Sequence, residues 1–221
     1  MRNAIEPLIL AMGGGTGSGK TALAEGLRQR HARLGVAVVD QDSYYLDRSH
    51  LTEEERSSLN FDEPAAFDHD LLLAHLERLS RGEAVEKPRY SFTTHTRTEE
   101  FDRTQPAPLV ILEGLLALWD ERVRSLAGLK VYVDAEADLR LVRRLRRDIQ
   151  ERGRTVESVL TQYLMSVRPM HRLHVEPTKA YANLVLDTTE AALKDSLLKI
   201  DLALAEACPE FREFLSFIDR R

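Results

Sequence analysis

The octapeptide Gly14-Gly15-Thr16-Gly17-Ser18-Gly19-Lys20-Thr21 has the spacing G-x-x-x-x-G-K-[ST]. Each residue type in it has a use in holding a polyphosphate. Glycines let the backbone curl until successive N–H groups point at phosphate oxygens, and five of the eleven glycines lie between Gly13 and Gly19. Lys20 would reach the β- and γ-phosphates, and the Thr21 hydroxyl would ligate Mg2+. A helix starting here adds its N-terminal partial positive charge to the same place. The implied chemistry is the binding of Mg2+-ATP.

Two carboxylates follow apolar runs that read as strands. Asp42 lies just beyond Val36–Val39, in Asp40-Gln41-Asp42-Ser43-Tyr44-Tyr45, and Glu113 ends Leu109–Leu112. In open parallel sheets, ligands bind beyond the carboxyl ends of the strands. Phosphoryl transfer calls for charge neutralisation by Mg2+ and a carboxylate that takes the acceptor hydroxyl proton. Asp42 suits that second role or a place in the metal shell, and Glu113 suits water-mediated metal binding. A helix N-cap or a solvated loop charge is the competing role for each. Asp134 also ends a strand but is equally suited to capping the next helix. No Asn-Lys-x-Asp sequence is present, so guanine recognition of the small-GTPase kind has no support.

Arg140, Arg143, Arg144 and Arg147 share one face of a helix at 100° per residue, with Leu141, Val142, Leu145 and Ile149 opposite. Arg152 and Arg154 flank a break at Gly153. Guanidinium forks match phosphate oxygens, and such a face could close over a transferred phosphoryl group. A solvated basic face is the plainer alternative. RNA binding is weaker still, because no aromatic residues interleave with the arginines.

The elements that must position these groups alternate strand, loop and helix. Strands are expected at Leu8–Met12, Val36–Val39, Leu109–Leu112, Lys130–Val133 and Leu184–Leu186, and helices at Thr21–Leu34, Leu71–Leu79, Ala137–Gln150, Thr155–Val167 and Glu190–Ala207. Arg89–His95 could form a short edge hairpin within an irregular Gly82–Pro108 stretch. The fold class is α/β, a three-layer phosphate-loop fold with a mostly parallel central sheet. Residues 1–221 are expected as one domain, with a substrate hairpin region at about 84–106, lid helices at about 137–167 and a tail at 209–221 of no assigned role.

The 221 residues suffice for one sizeable core. With 43% hydrophobic and 30% charged residues and a net charge of −5, the chain has no global basic field for nucleic acid. One cysteine, Cys208, cannot build a disulfide within the chain, which fits a reducing compartment. No run of eighteen apolar residues and no export signal is present, so no membrane span and a cytoplasmic location are expected.

Several longer segments resemble the uridine–cytidine kinases. They are Gln41-Asp42-Ser43-Tyr44-Tyr45, Asn60-Phe61-Asp62-Glu63-Pro64, Pro88-Arg89-Tyr90-Ser91-Phe92 with His95-Thr96-Arg97, Leu112-Glu113-Gly114, Glu151-Arg152-Gly153-Arg154, Gln162-Tyr163 and Glu176-Pro177-Thr178-Lys179. They keep the family order over about Leu8 to Leu186. The resemblance implies transfer of the ATP γ-phosphoryl group to the 5′-hydroxyl of uridine or cytidine, giving UMP or CMP in pyrimidine salvage. It implies that Asp42 is the catalytic base, acting with Lys20, Arg147 and Arg152, and that Asp62 binds the ribose hydroxyls. Tyr90 and His95 match positions that hold the pyrimidine, with Phe92 and Tyr45 in the substrate site. Arg144, Arg147, Arg152 and Arg154 match lid and substrate arginines, and Gln162 and Tyr163 the far wall. A His at position 95 implies use of both nucleosides. A homotetramer and feedback inhibition by UTP or CTP are further implications.

The chain also departs from that pattern. Gly17 stands where Ala is common, Ser91 where Asp is usual, and Asn183 where Asp is usual. Asp187-Thr188-Thr189-Glu190-Ala191 replaces a Pro-x-Gly-x-Asn loop that borders the adenine, which leaves the choice of ATP or GTP open. The alternatives are a related small-molecule kinase, phosphoribulokinase- or pantothenate kinase-like, and a nucleotide-binding regulator without turnover.

Overall fold

A computed structural model describes residues 7–212. The last nine residues of the expected tail lie outside that range. Strand β1 (Leu8–Gly14) is an almost wholly buried run that leads into the phosphate loop, and helix α1 (Lys20–Arg30) begins directly after it. Strand β2 (Val36–Asp40) follows, then a tight turn of helix at Gln41–Tyr44. Short helix α2 (Glu53–Ser57) carries a capping box between Thr52 and Glu55. Helix α3 (His69–Ser80) is capped by Asp68, and a hairpin of β3 (Val85–Ser91) and β4 (Thr96–Thr104) comes next. Strand β5 (Leu109–Glu113), helix α4 (Glu121–Leu126) and strand β6 (Leu129–Asp134) precede the long helix α5 (Ala137–Arg152). Helix α6 (Val156–Gln162) runs on through wide turns and the short α7 (Arg168–Met170) to Tyr181. Strand β7 (Leu184–Asp187) and helix α8 (Leu193–Ala207) complete the fold.

The main sheet is parallel throughout, in the order β2-β5-β1-β6-β7. Leu23, Ala24 and Leu27 of α1 and Ile200 and Leu204 of α8 pack on one face. Leu72, Leu76 and Leu79 of α3 and Val123 of α4 pack on the other. Burial on both faces explains why the strands read as continuous apolar runs. The three-layer α/β expectation therefore holds.

Three local expectations need correction. Helix α1 stops at Arg30, because His31 turns inward, fully buried, to meet Asp201 of α8 at 2.7 Å. The hairpin is longer than Arg89–His95 and forms its own two-stranded sheet away from the main one. Strand β4 is polar and largely exposed, held across to β3 by Arg89 pairing with Glu100 and Asp102, so no apolar alternation marks it. Gly82–Pro108 is thus ordered rather than irregular. Helix α4 lies in a segment with no expected element, and it is only six residues long.

Helix α5 is turned against the usual polarity of a surface helix. Arg140, Arg144 and Asp148 are buried, while Val142 and Ile149 are 44% and 39% exposed. The arginine face is not a solvated one. Among the described residues, no helix is long and apolar enough to cross a membrane.

Candidate active site

Glycines shape the phosphate loop. Gly14, Gly17 and Gly19 have φ of 144°, 74° and 97°, and a Cβ on Gly17 would strike the carbonyl of Arg140. Lys20 is buried and donates to the Gly15 carbonyl at 2.9 Å. Burial pulls its pKa down, against the opposing pull of the Glu113 and Asp42 charges. Thr21 Oγ1 donates to Glu113 Oε1 at 3.0 Å, joining the loop to the end of β5.

The turn after β2 presents Asp42. Its cap is Asp40, whose side chain accepts from the Ser43 N–H at 3.2 Å, so the capping role weighed for Asp42 belongs to a neighbour. Burial raises the Asp42 pKa, while Arg152, Lys20 and Arg147 draw it back. Burial likewise raises that of Glu113. Asp134 pairs with Lys179 at 2.7 Å, away from these groups.

The lid arginines converge on one fully buried carboxylate, Asp148. Arg144, Arg147 and Arg152 lie 3.4, 2.8 and 3.6 Å from its oxygens. Arg144 also donates to Thr16 Oγ1 at 3.3 Å and to Gln162 Oε1 at 2.8 Å, which ties α5 to both the phosphate loop and α6. Arg154 shares the Gln162 acceptor. Arg143 donates to the Thr188 carbonyl at 2.9 Å, and Thr188 Oγ1 in turn donates to the Ser18 carbonyl at 2.7 Å. The departing loop after β7 is therefore bonded to the phosphate loop.

An aromatic wall closes the far side. Tyr45 stacks on Phe67, with centroids 4.3 Å apart, and tilts onto Tyr90 at 5.0 Å. Phe61 stacks on His95 at 4.9 Å, and Arg152 lies over the Phe92 ring at 4.2 Å. The Tyr90 hydroxyl is buried and has no hydrogen-bond partner among the described residues. Burial, followed by Arg154 and other nearby arginines, lowers the His95 pKa, so its ring is neutral at pH 7. Asp62 is buried and accepts from Ser166 Oγ at 3.2 Å, and burial raises its pKa.

These groups line one cleft of about 580 Å3, which runs from Thr16, Gly17, Gly19, Lys20 and Thr21 past Asp42 and Glu113 to Tyr45, Asp62, Tyr90, Phe92 and His95. Arg144, Arg147, Arg152, Arg154 and Gln162 roof it. Gly14, Gly15 and Ser18 shape the loop without lining the cleft. Tyr163 does not line it either: it is buried beside a separate cavity with Arg140 and His171. Adjacent helical residues point about 100° apart, and here that rotation turns Gln162 to the cleft and Tyr163 to the separate cavity. Phe61 and Asp148 were assigned no role from sequence, and Arg143 only a place on the arginine face. Phe61 sits inside a recognisable motif and Asp148 ends the family-like run that starts at Arg143-Arg144, but neither motif says that Asp148 is the common anchor of the arginines.

A chain whose glycine loop leads from a buried central strand into a helix, with an acid at the end of the adjacent strand β5 and another just beyond β2, can be placed among known proteins. Residues 9–193 match the phosphoribulokinase / uridine kinase family. The chain belongs to that family. It is 51% identical over 180 residues to the uridine kinase of Brevibacillus brevis, covering 81% of this chain and 84% of that protein. It is 49% identical over 181 residues to the uridine kinase of a Geobacillus species, covering 82% and 86%. Phosphoribulokinase from Rhodobacter spheroides has the same fold, with a TM-score of 0.63 and 16% identity over 83% of this chain and 71% of that one.

The loop fits a nucleoside triphosphate: Gly14, Gly17 and Gly19 take positive φ, the curl that turns backbone N–H groups toward phosphate oxygens, and Gly15 and Gly17 let the loop lie directly against Arg140. Among the described residues, no three His, Cys, Asp or Glu side chains converge to hold a metal unaided. Thr21, Glu113 and Asp42 offer one hydroxyl and two carboxylates, the oxygen donors that suit Mg2+ shared with substrate phosphates.

Proposed function

We propose that this family member transfers the γ-phosphoryl group of ATP to the 5′-hydroxyl of uridine or cytidine, giving UMP or CMP. The observation that carries the reading is the junction, in one cleft, of the phosphate loop, Asp42 and the Tyr90–His95 aromatic wall. The two uridine kinases at about half identity favour it over a phosphoribulokinase-like substrate.

In this reading Asp42 accepts the proton of the 5′-hydroxyl as the oxygen attacks phosphorus. Lys20, Arg147 and Arg152 hold the transferring group and oppose its charge. Thr21, Glu113 and Asp42 would hold Mg2+, which would supply positive charge against that of the ATP phosphates. Asp62 receives hydrogen bonds from the ribose cis-diol, which selects ribose. Tyr90 and Phe92 pack on the pyrimidine, Tyr45 backs Tyr90, and the neutral His95 reads the 4-position. Gln162 holds Arg144 and Arg154 over the sugar. A UTP or CTP molecule could occupy the phosphate loop and the pyrimidine wall together, which supports feedback inhibition. The exposed Val142, Ile149, Leu164, Met165 and Leu173 support self-association, as a homotetramer in our proposal.

The test is ADP release from Mg2+-ATP with uridine, cytidine, thymidine, adenosine and ribulose 5-phosphate. Turnover of uridine and cytidine that is lost in Asp42→Asn supports the reading. Turnover of ribulose 5-phosphate alone defeats it.

A further inference from the structure

Strand β3 touches the turn that carries Asp42 in two places. On either side of Asp42, Lys87 Nζ lies 2.5 Å from Asp40 Oδ1 and 2.9 Å from Ser43 Oγ, with Asp102 Oδ2 of β4 at 4.0 Å. Downstream, Tyr90 lies against Tyr45, with centroids 5.0 Å apart. The register irregularity between Pro88 and Tyr90 lets residues three apart face the same turn, where a regular strand would send them to opposite sides. Asp42 sits among these contacts, in a turn of only four residues.

Lys87 is not a surface charge that happens to find a partner. Its side chain is 11% exposed, while the Asp40 and Asp102 carboxylates it meets are each 40% exposed, so its stem is packed against the protein and its ammonium is directed to these acceptors. The carboxylate it takes is the cap of the catalytic turn: Asp40 Oδ2 accepts from both the N–H and the hydroxyl of Ser43 while Oδ1 faces Lys87. Asp40 also closes β2 opposite Glu113 of β5. One ammonium from the hairpin thus holds the cap of the turn and its third residue, Ser43, with Asp42 between them.

We propose that Lys87 is a positioning residue, which aligns Asp42 through Asp40 and Ser43 and couples the seating of the nucleoside hairpin to the placement of the base. The link rests on the functional reading above. Lys87 touches no substrate in it. Its loss loosens the turn and leaves the Asp40 carboxylate beside Asp42 without its cation, so the effect falls on turnover.

The experiment compares wild type with Lys87→Met, Lys87→Arg, Asp40→Asn and the Lys87→Met/Asp40→Asn pair. Steady-state kinetics with Mg2+-ATP and uridine, ADP binding and thermal melting are measured for each. Lys87→Met is expected to lower kcat about tenfold or more, with ADP affinity unchanged and uridine KM moved less than about threefold. Lys87→Arg restores most of that turnover. Asp40→Asn keeps a cap but weakens the ion pair, and in that background Lys87→Met costs clearly less than in wild type. If Lys87→Met melts too early to assay, Asp40→Asn and Lys87→Arg carry the test, the first slow and the second near wild type. An unchanged kcat in Lys87→Met or in Asp40→Asn overturns the link, as do fully additive effects in the pair. A rise in uridine KM at constant kcat also overturns it, because Lys87 would then belong to the substrate site. Wild type without nucleoside turnover defeats the functional reading itself, and the link falls with it.

Discussion

Thr21 Oγ1 and Glu113 Oε1 meet at 3.0 Å, ninety-two residues apart in the chain, so the helix after the phosphate loop and the strand beside it share one hydrogen bond at the proposed metal position. Both oxygens suit a hard cation. Glu113→Gln is expected to lower kcat about a hundredfold and to raise the Mg2+ concentration for half-maximal rate, while ADP still binds without metal. A Mg2+ titration at fixed ATP checks this. An unchanged Mg2+ dependence removes Glu113 from the metal site.

Asp42 is half-buried and its pKa is raised, which sets function against stability. The fold disfavours the ionised form, so at pH 7.5 a neutral amide removes that penalty. Asp42→Asn is expected to lower kcat by about 10²–10⁴ with ADP affinity retained and a melting temperature no lower than wild type. Melting well below wild type, with activity lost, would assign Asp42 to the structure rather than the chemistry.

Asp62 is buried, and Ser166 supplies one hydrogen bond to it. A cis-diol would fill the remaining acceptor positions, and a deoxyribose would leave them unmet. Uridine is expected to exceed 2′-deoxyuridine by at least about a hundredfold in kcat/KM, and Asp62→Asn to shrink that ratio. Equal use of the two nucleosides by wild type refutes the assignment.

His171 gives a pH dependence of known sign. Burial and Arg140 hold its pKa at about 4, below the ordinary 6.5. The unfolded chain therefore takes up a proton between pH 6.5 and 4 that the folded chain refuses. The stabilisation is complete above 6.5 and is lost as pH falls toward 4. Thermal melting from pH 7.5 to 5 should show His171→Phe gaining on wild type as the buffer becomes more acid, by about 1–2 kcal/mol at the low end. Parallel curves for the two proteins would rule this out.

The phosphate loop was legible because its chemistry lies in eight consecutive residues, where backbone freedom, one ammonium and one hydroxyl suffice. The central strands β1, β5 and β6 were legible because burial on both faces demands near-continuous apolar runs. The arginine stripe of α5 was legible as a helical face, but periodicity alone does not say which face turns inward. The tertiary structure decided that, by placing Asp148 beneath Arg144, Arg147 and Arg152 and leaving Val142 and Ile149 exposed. It also decided the length of the hairpin, whose outer strand is polar and held by cross-strand ion pairs rather than burial. Gln162 faces the cleft and Tyr163 does not, since rotation along a helix separates neighbours that a linear motif joins. Lys87 reaches Asp40 across forty-seven residues. Local sequence sets which conformations each segment prefers, whereas a pairing between distant residues exists only once the chain has closed and excluded the water that would otherwise separate the charges.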